Sequence, residues 1–203
     1  NKNYHVICPN FYGRGGSDVV EMKYNFNLFC SQINDIMLYH KCIFPITLIG
    51  FSMGGMIAHY FAKKYPNRVK KLFLIAPTGQ NTAIPLYLDY YVFYPLGEII
   101  AAIAAKFFLI QHRKNTGGEN IIIYNNGYIK SLLYTLRGMP WNDYLFQGTK
   151  CKTYLIYSEN DRLVKINPDK IQHNKSFVFS EYSHMDLLKS KIGDIIFNIL
   201  NKL

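Results

Sequence analysis

Short apolar runs alternate with longer amphipathic segments along the first part of the chain. The apolar runs cover residues 4–8, 46–49 and 72–76, and each is followed at once by a proline or a glycine. Between them, residues 28–39 and 53–65 carry apolar side chains close to helical spacing. Strands that alternate with helices in this way lie parallel in one sheet. The sequence therefore predicts an α/β fold with a parallel sheet covered by helices.

The alternation stops after residue 80 and resumes near residue 150. The intervening stretch is rich in aromatic and apolar residues, which is typical of an inserted cap. Strand patterns return at residues 153–157 and 176–179, and residues 187–200 are predicted to form one closing helix. We therefore expect a first core part at residues 1–80, a cap at 81–148 and a second core part at 149–203.

Composition excludes several other classes of protein. Of the 203 residues, 49% are hydrophobic and 18% are charged, which fits one globular domain. The net charge of +10 comes from scattered lysines without a basic run, so no nucleic-acid partner is expected. The longest apolar stretch, residues 96–110, is interrupted by Glu98 and Lys106 and does not predict a membrane span. The cysteines form no C-x-x-C pair, so neither a disulfide framework nor a zinc site is expected.

The strongest chemical signal is the pentapeptide Gly-Phe-Ser-Met-Gly at residues 50–54, between a predicted strand and a predicted helix. A tight turn there holds Ser52 in a strained conformation at the strand tip, and Gly50 and Gly54 let the strand and helix approach each other. The amide of Met53, at the start of the helix, is placed to bind developing negative charge. The motif in this context predicts a nucleophile elbow with Ser52 as nucleophile and Met53 as an oxyanion-hole donor.

A serine nucleophile needs a base, and the base needs an acid that orients it. His184 follows the last predicted strand, on a loop before the closing helix, and is the preferred base among the six histidines. Asp161 follows the strand at residues 153–157, at the edge of the sheet where ligand sites collect. Glu159 competes with Asp161 as the acid, and Asp186 is a weaker alternative.

These segments resemble the α/β-hydrolase superfamily of esterases and lipases. Residues 46–77, ITLIGFSMGGMIAHYFAKKYPNRVKKLFLIAP, resemble its nucleophile-elbow region, and residues 6–18, VICPNFYGRGGSD, resemble its strand and loop ending in G-x-G-x-S. Residues 154–164 resemble the acid-bearing strand and loop, and the likeness extends to His184. The resemblance implies a mostly parallel sheet with helices on both faces, an inserted helical cap, and Ser52, Asp161 and His184 as catalytic residues.

The chain departs from the family pattern in three ways. Asn10 stands where the family usually has an aspartate, and Ser183 replaces the glycine that usually precedes the histidine. The family takes its second oxyanion donor from a loop after a strand that precedes residues 4–8, and this sequence has no such segment. We therefore expect the chain to be N-terminally incomplete.

The resemblance implies ester hydrolysis through an acyl-enzyme, with no metal or organic cofactor. The apolar cap favours a small-molecule ester or lipid substrate with a fatty acyl chain, such as a monoacylglycerol or lysophospholipid, and peripheral membrane contact through the cap. Two alternatives remain open. The same residues on the same fold can cleave thioesters or carbon–carbon bonds, and the fold also serves as a catalytically weak ligand-binding protein.

Overall fold

A computed structural model of the chain describes residues 4–43, 45–80 and 128–201. The chain divides into two compact units, one built from Asn1–His40 and Pro85–Met139, the other from Lys41–Ile84 and Pro140–Leu203. Most of the predicted cap, including the apolar segment at residues 96–110, lies outside the described residues.

The second unit contains a four-stranded parallel sheet. Its strands are β1 (Ile46–Phe51), β2 (Val69–Ile75), β3 (Lys152–Ser158) and β4 (Lys175–Phe179), and they lie side by side in chain order. Every neighbouring pair is parallel, as the alternation of strands and helices predicted. The carboxyl ends of all four strands therefore meet at one edge of the sheet.

Helices cover the two faces of this sheet. On one face, Gly50 of β1 contacts α2 (Met53–Lys64). Leu74 is the register partner of Gly50 on β2 and therefore points to the same face. The neighbouring β2 residue Phe73 points to the other face, where its core cluster includes α4 (Ile192–Asn201). Leu72, Leu74, Phe73 and Ile75 are all buried, so β2 is apolar on both faces.

The first unit contains α1 (Phe26–Tyr39) and α3 (Tyr128–Gly138). The Asn25 side chain caps α1 by accepting a hydrogen bond from the amide of Leu28. Gly13, with φ +71°, lies directly against α3, and a Cβ atom there would come within 2.2 Å of the Ser131 Cβ atom. Only glycine fits this contact between the loop and the helix.

Two predicted elements differ in the structure. Residues 4–8 join no strand ladder within the described part of the chain, and Val6 is 79% exposed, so the prediction of a strand there was wrong. An apolar run becomes a strand only where a neighbour accepts its backbone hydrogen bonds.

The predicted closing helix is two elements, a 3₁₀ helix at Asp186–Lys189 followed by α4. Ser190 separates them in an extended conformation, and its hydroxyl donates to the Leu187 carbonyl at 2.6 Å. No helix among the described residues is long and apolar enough to cross a membrane.

Candidate active site

Ser52 lies at the sharp turn between β1 and α2, at the carboxyl edge of the sheet. Its backbone has φ 53° and ψ −123°, a strained conformation for a residue with a side chain. The Ser52 amide donates to the Ile75 carbonyl at 2.9 Å, and the Ser52 carbonyl accepts from the amides of Gly55 and Thr78. These three hydrogen bonds hold the strained residue in place.

Two glycines allow the close packing around this turn. A Cβ atom at Gly50 would lie 2.3 Å from the Gly54 carbonyl oxygen, and one at Gly55 would lie 2.8 Å from the Pro77 Cβ atom. Among the described residues, a Cβ atom at Gly54 would meet nothing within 4 Å. Gly50 therefore has the predicted role, whereas the prediction for Gly54 was wrong. Gly55, which the sequence reasoning missed, makes the second close approach.

Three predicted site residues are brought together by hydrogen bonds. The Nδ1 atom of His184 lies 2.6 Å from Oδ2 of Asp161, and its Nε2 atom lies 3.0 Å from Oγ of Ser52. A carboxylate only accepts hydrogen bonds, so in the neutral ring the proton is on Nδ1 and Nε2 accepts from the Ser52 hydroxyl. In this tautomer Nε2 of His184 is the hydrogen-bond acceptor that faces the Ser52 hydroxyl.

Asp161 is held from its other side by the backbone. Its Oδ1 atom accepts hydrogen bonds from the amides of Leu163 and Val164, each at 2.9 Å. The residue is only 1% exposed, and His184 is 6% exposed. Both carboxylate oxygens therefore have partners, which a buried carboxylate requires.

The imidazole of His184 also rests on an aromatic ring. The centroid of the Phe51 ring lies 4.8 Å from that of His184, with an angle of 32° between the planes. Phe51 is the last residue of β1 and directly precedes Ser52, so one strand end positions both the hydroxyl and the face of the imidazole.

Met53 begins α2 next to Ser52. As the first helical residue it has no intrahelical acceptor for its N–H group. The N-terminus of a helix carries partial positive charge, which favours an anion at this position. The predicted oxyanion-hole donor therefore stands at the end of the helix that suits negative charge.

Glu159 and Asp186, the two alternatives to Asp161 as the acid, make different contacts from those of Asp161. Glu159 is exposed, and its amide donates to the Phe179 carbonyl at 2.8 Å. Asp186 accepts hydrogen bonds from the Ser183 hydroxyl and from Lys189, and these bonds lower the pKa of its carboxyl. Both contacts lie within residues 183–189, the turn that contains His184, and neither carboxylate oxygen of Asp186 bonds to the imidazole among the hydrogen bonds of the described residues.

His59 is fully buried in α2, where its Nδ1 atom is 2.7 Å from the hydroxyl of Tyr144. Burial, followed by the nearby charge of Lys63, lowers its pKa to about 4.

The other histidines lie elsewhere: His40 directly follows α1, and His173 contacts the backbone carbonyl of Ile171. His112 lies outside the described residues. Within the ranges that the structure describes, no three His, Cys, Asp or Glu side chains are grouped to hold a metal ion.

Comparison with known proteins agrees with the fold. A family model of the α/β-hydrolase fold matches residues 1–98. An α/β-hydrolase enzyme from a Medee basin deep-sea metagenome library has a similar structure, with a TM-score of 0.70 and 14% identity over 96% of this chain and 78% of that chain. This chain has the α/β-hydrolase fold. An esterase from Exiguobacterium antarcticum is also similar, with a TM-score of 0.66 and 19% identity over 93% of this chain and 78% of that one.

Curated relatives of this α/β-hydrolase-fold protein include lipases. A monoacylglycerol lipase, abhd6-B, from Xenopus laevis is 32% identical over 82 residues, which is 38% of this chain. The matched segment spans only 24% of the relative's length. The likeness to solved structures, at below 25% identity, establishes the fold.

Proposed function

We propose that this protein is a serine hydrolase that cleaves carboxylic esters through an acyl-enzyme. The observation that carries the proposal is the continuous hydrogen-bond chain from Asp161 through His184 to Ser52. A strained serine at a strand tip, a base within hydrogen-bonding distance and a buried acid behind the base are the parts that such a reaction requires.

In the proposed reaction, His184 removes the proton of the Ser52 hydroxyl while Oγ attacks the ester carbonyl carbon. The tetrahedral intermediate collapses, and His184 gives the proton to the departing alcohol. Water then attacks the acyl-enzyme with His184 again as base, and the carboxylic acid is released as Ser52 recovers its proton. Asp161 holds the ring orientation and stabilises the imidazolium form in both halves.

The Met53 amide and the N-terminus of α2 would stabilise the oxygen that becomes negative in each tetrahedral intermediate. A backbone donor of this kind is worth about 10²- to 10³-fold in rate in serine hydrolases. Because the donor belongs to the residue after the nucleophile, the same turn that exposes Ser52 also places this amide beside it.

The proposed substrate is an ester or lipid with an apolar acyl chain, of the monoacylglycerol or lysophospholipid type. The support is the aromatic and apolar composition of residues 81–148, which we propose form a cap over the core parts at 1–80 and 149–203. The relative that is named a monoacylglycerol lipase also supports a lipid substrate. Peripheral contact with a membrane through this cap belongs to the same proposal.

Hydrolysis of p-nitrophenyl esters from acetate to dodecanoate by the full-length protein tests the proposal, with Ser52→Ala as the matched variant. We expect kcat/KM to rise with acyl length and to fall by several orders of magnitude in Ser52→Ala. Absence of Ser52-dependent hydrolysis by the folded protein would reject the proposal. A clear preference for acetate would leave a serine esterase but reject the lipid substrate.

A parallel series of acyl thioesters separates two reaction classes that use the same residues. We expect the oxygen esters to be the better substrates at each chain length. A much larger kcat/KM for the thioesters would replace esterase by thioesterase while leaving the roles of Ser52, His184 and Asp161 unchanged.

A further inference from the structure

Ser158 links the loop that carries Asp161 to the loop that carries His184. It is the last residue of β3, three residues before Asp161, and its hydroxyl donates to the backbone carbonyl of Tyr182 at 2.6 Å. Tyr182 lies two residues before His184. A single side chain therefore ties together the two segments that must keep the imidazole and the carboxylate in register.

The hydroxyl of Ser158 has a second partner. It accepts a hydrogen bond from the amide of Asn160 at 3.3 Å, and the Ser158 carbonyl accepts one from the amide of Asp161, also at 3.3 Å. Ser158 thus shapes the turn that leads to the acid while its hydroxyl proton reaches across to the other loop. An alanine would lose both side-chain bonds, and a hydroxyl satisfies both because it donates and accepts.

Burial protects the hydrogen bond between Ser158 and the Tyr182 carbonyl from competition by water. Ser158 is only 3% exposed, so water does not readily replace its contact with the Tyr182 carbonyl. The adjacent backbone supports the link, because the amide of Glu159 donates to the Phe179 carbonyl at 2.8 Å, and the ring of Tyr182 packs against that of Phe179. The bond from the Glu159 amide and the bond from the Ser158 hydroxyl both cross between the two segments, and only the second depends on a side chain.

We infer that Ser158 is a positioning residue that fixes His184 relative to Asp161, so that the imidazole stays within reach of Ser52. The inference rests on the proposed serine hydrolase function for its catalytic consequence. Its structural consequence, a defined hydrogen bond between His184 and Asp161, is measurable whether or not the protein is active.

The test uses Ser158→Ala in the full-length protein, with Thr153→Val as the matched control. Thr153 is on the same strand, is 1% exposed, and has hydroxyl contacts at 3.3 Å to Thr149 and to the Cys151 carbonyl, at the opposite end of β3 from the site. Both variants remove one buried hydroxyl from β3, but only Ser158→Ala removes the bond between the two loops.

The first readout is the far-downfield proton NMR resonance of the His184 Nδ1–H group. We expect it to broaden or disappear in Ser158→Ala and to persist in Thr153→Val. The second readout is ester hydrolysis, in which kcat of Ser158→Ala should fall by about 10- to 100-fold with little change in KM, because a small misplacement of a catalytic group carries a cost of this size. Ser158→Thr, which keeps a hydroxyl, should recover both.

An unchanged resonance and an unchanged kcat in folded Ser158→Ala would overturn the inference. An equal loss in Thr153→Val would also overturn it, because the effect would then be one of general packing. If Ser158→Ala does not fold, Ser158→Cys, which is similar in size but a weak hydrogen-bond donor, carries the same test. An altered resonance in a protein that hydrolyses no ester would reject the proposed function and leave the positioning role standing.

Discussion

Asp161 presents one carboxylate oxygen to His184 and the other to the backbone. Oδ2 lies 2.6 Å from Nδ1 of His184, while Oδ1 accepts from the amides of Leu163 and Val164. The two amides fix the rotation of the carboxylate, so Oδ2 faces the imidazole. This arrangement determines which nitrogen of the neutral imidazole carries the hydrogen, as well as the orientation of the ring.

Asp161→Asn should lower kcat by about 10⁴-fold without unfolding the protein. The two backbone amides would keep the asparagine oxygen at the Oδ1 position and turn its NH₂ group toward His184. Nδ1 would then have to accept, Nε2 would carry the proton, and Nε2 would no longer accept from Ser52. Ester hydrolysis measured alongside a thermal unfolding curve checks both parts of this expectation.

Glu159→Gln and Asp186→Asn are the controls for that substitution, because each removes a carboxylate near the same edge of the sheet. We expect each to lower kcat far less than Asp161→Asn. A larger loss in Glu159→Gln would transfer the role of the acid to Glu159, and a larger loss in Asp186→Asn would transfer it to Asp186.

The glycines of the elbow should differ in their tolerance of alanine. Gly50→Ala and Gly55→Ala should destabilise the fold strongly, because a Cβ atom would lie within 2.3 Å of the Gly54 oxygen in the first and within 2.8 Å of the Pro77 Cβ atom in the second. The new Cβ atom of Gly54→Ala in α2 would contact none of the described residues, so the substitution should be neutral or add up to about 1 kcal/mol to the free energy of unfolding. Urea unfolding of the three variants checks this order, and strong destabilisation by Gly54→Ala would contradict it.

Buried His59 should make the protein less stable in mild acid. Its pKa of about 4 in the folded state lies below the ordinary value of 6.5, so between these values the unfolded chain binds more protons. The contribution of His59 to stability is complete above about pH 6.5 and is lost as the pH falls toward 4. At pH 5 the free energy of unfolding should have lost about 2 kcal/mol from this residue alone.

The double variant His59→Phe/Tyr144→Phe tests whether His59 causes the loss of stability in mild acid, because it removes the titrating ring together with the hydroxyl that bonds to it. We expect urea unfolding at pH 7 and pH 5 to show a smaller difference in this variant than in the wild type. His40→Asn, at an exposed helix end, should keep the wild-type difference. An undiminished difference in the double variant would assign the acid sensitivity to other groups.

Local pattern was sufficient to predict the four strands of the sheet and the turn that carries Ser52, although it also predicted a strand at residues 4–8 that does not form. The short apolar runs at β1 to β4 and the helical spacing of α1 and α2 reflect side-chain burial, which periodicity records directly. His184 and Asp161 were predictable as site candidates because the ends of parallel strands meet at one edge.

Pattern could not reveal contacts between distant parts of the chain. Three contacts depend on the assembled sheet: the bond from Ser158 to the Tyr182 carbonyl, the approach of Gly55 to Pro77, and the tilted ring contact between Phe51 and His184. At Ser190 the backbone becomes extended, and its amide and hydroxyl both donate to the Leu187 carbonyl, which apolar spacing does not reveal, so the closing helix was predicted too long.

The central claim is that Ser52 is an activated nucleophile, and labelling by a fluorophosphonate probe tests it most directly because it requires no knowledge of the substrate. The full-length protein should gain one covalent adduct, mapped by mass spectrometry to Ser52. Ser52→Ala and His184→Ala should remain unlabelled, whereas Ser183→Ala should label normally. Failure of the folded wild-type protein to react, or equal labelling of Ser52→Ala, would contradict the account.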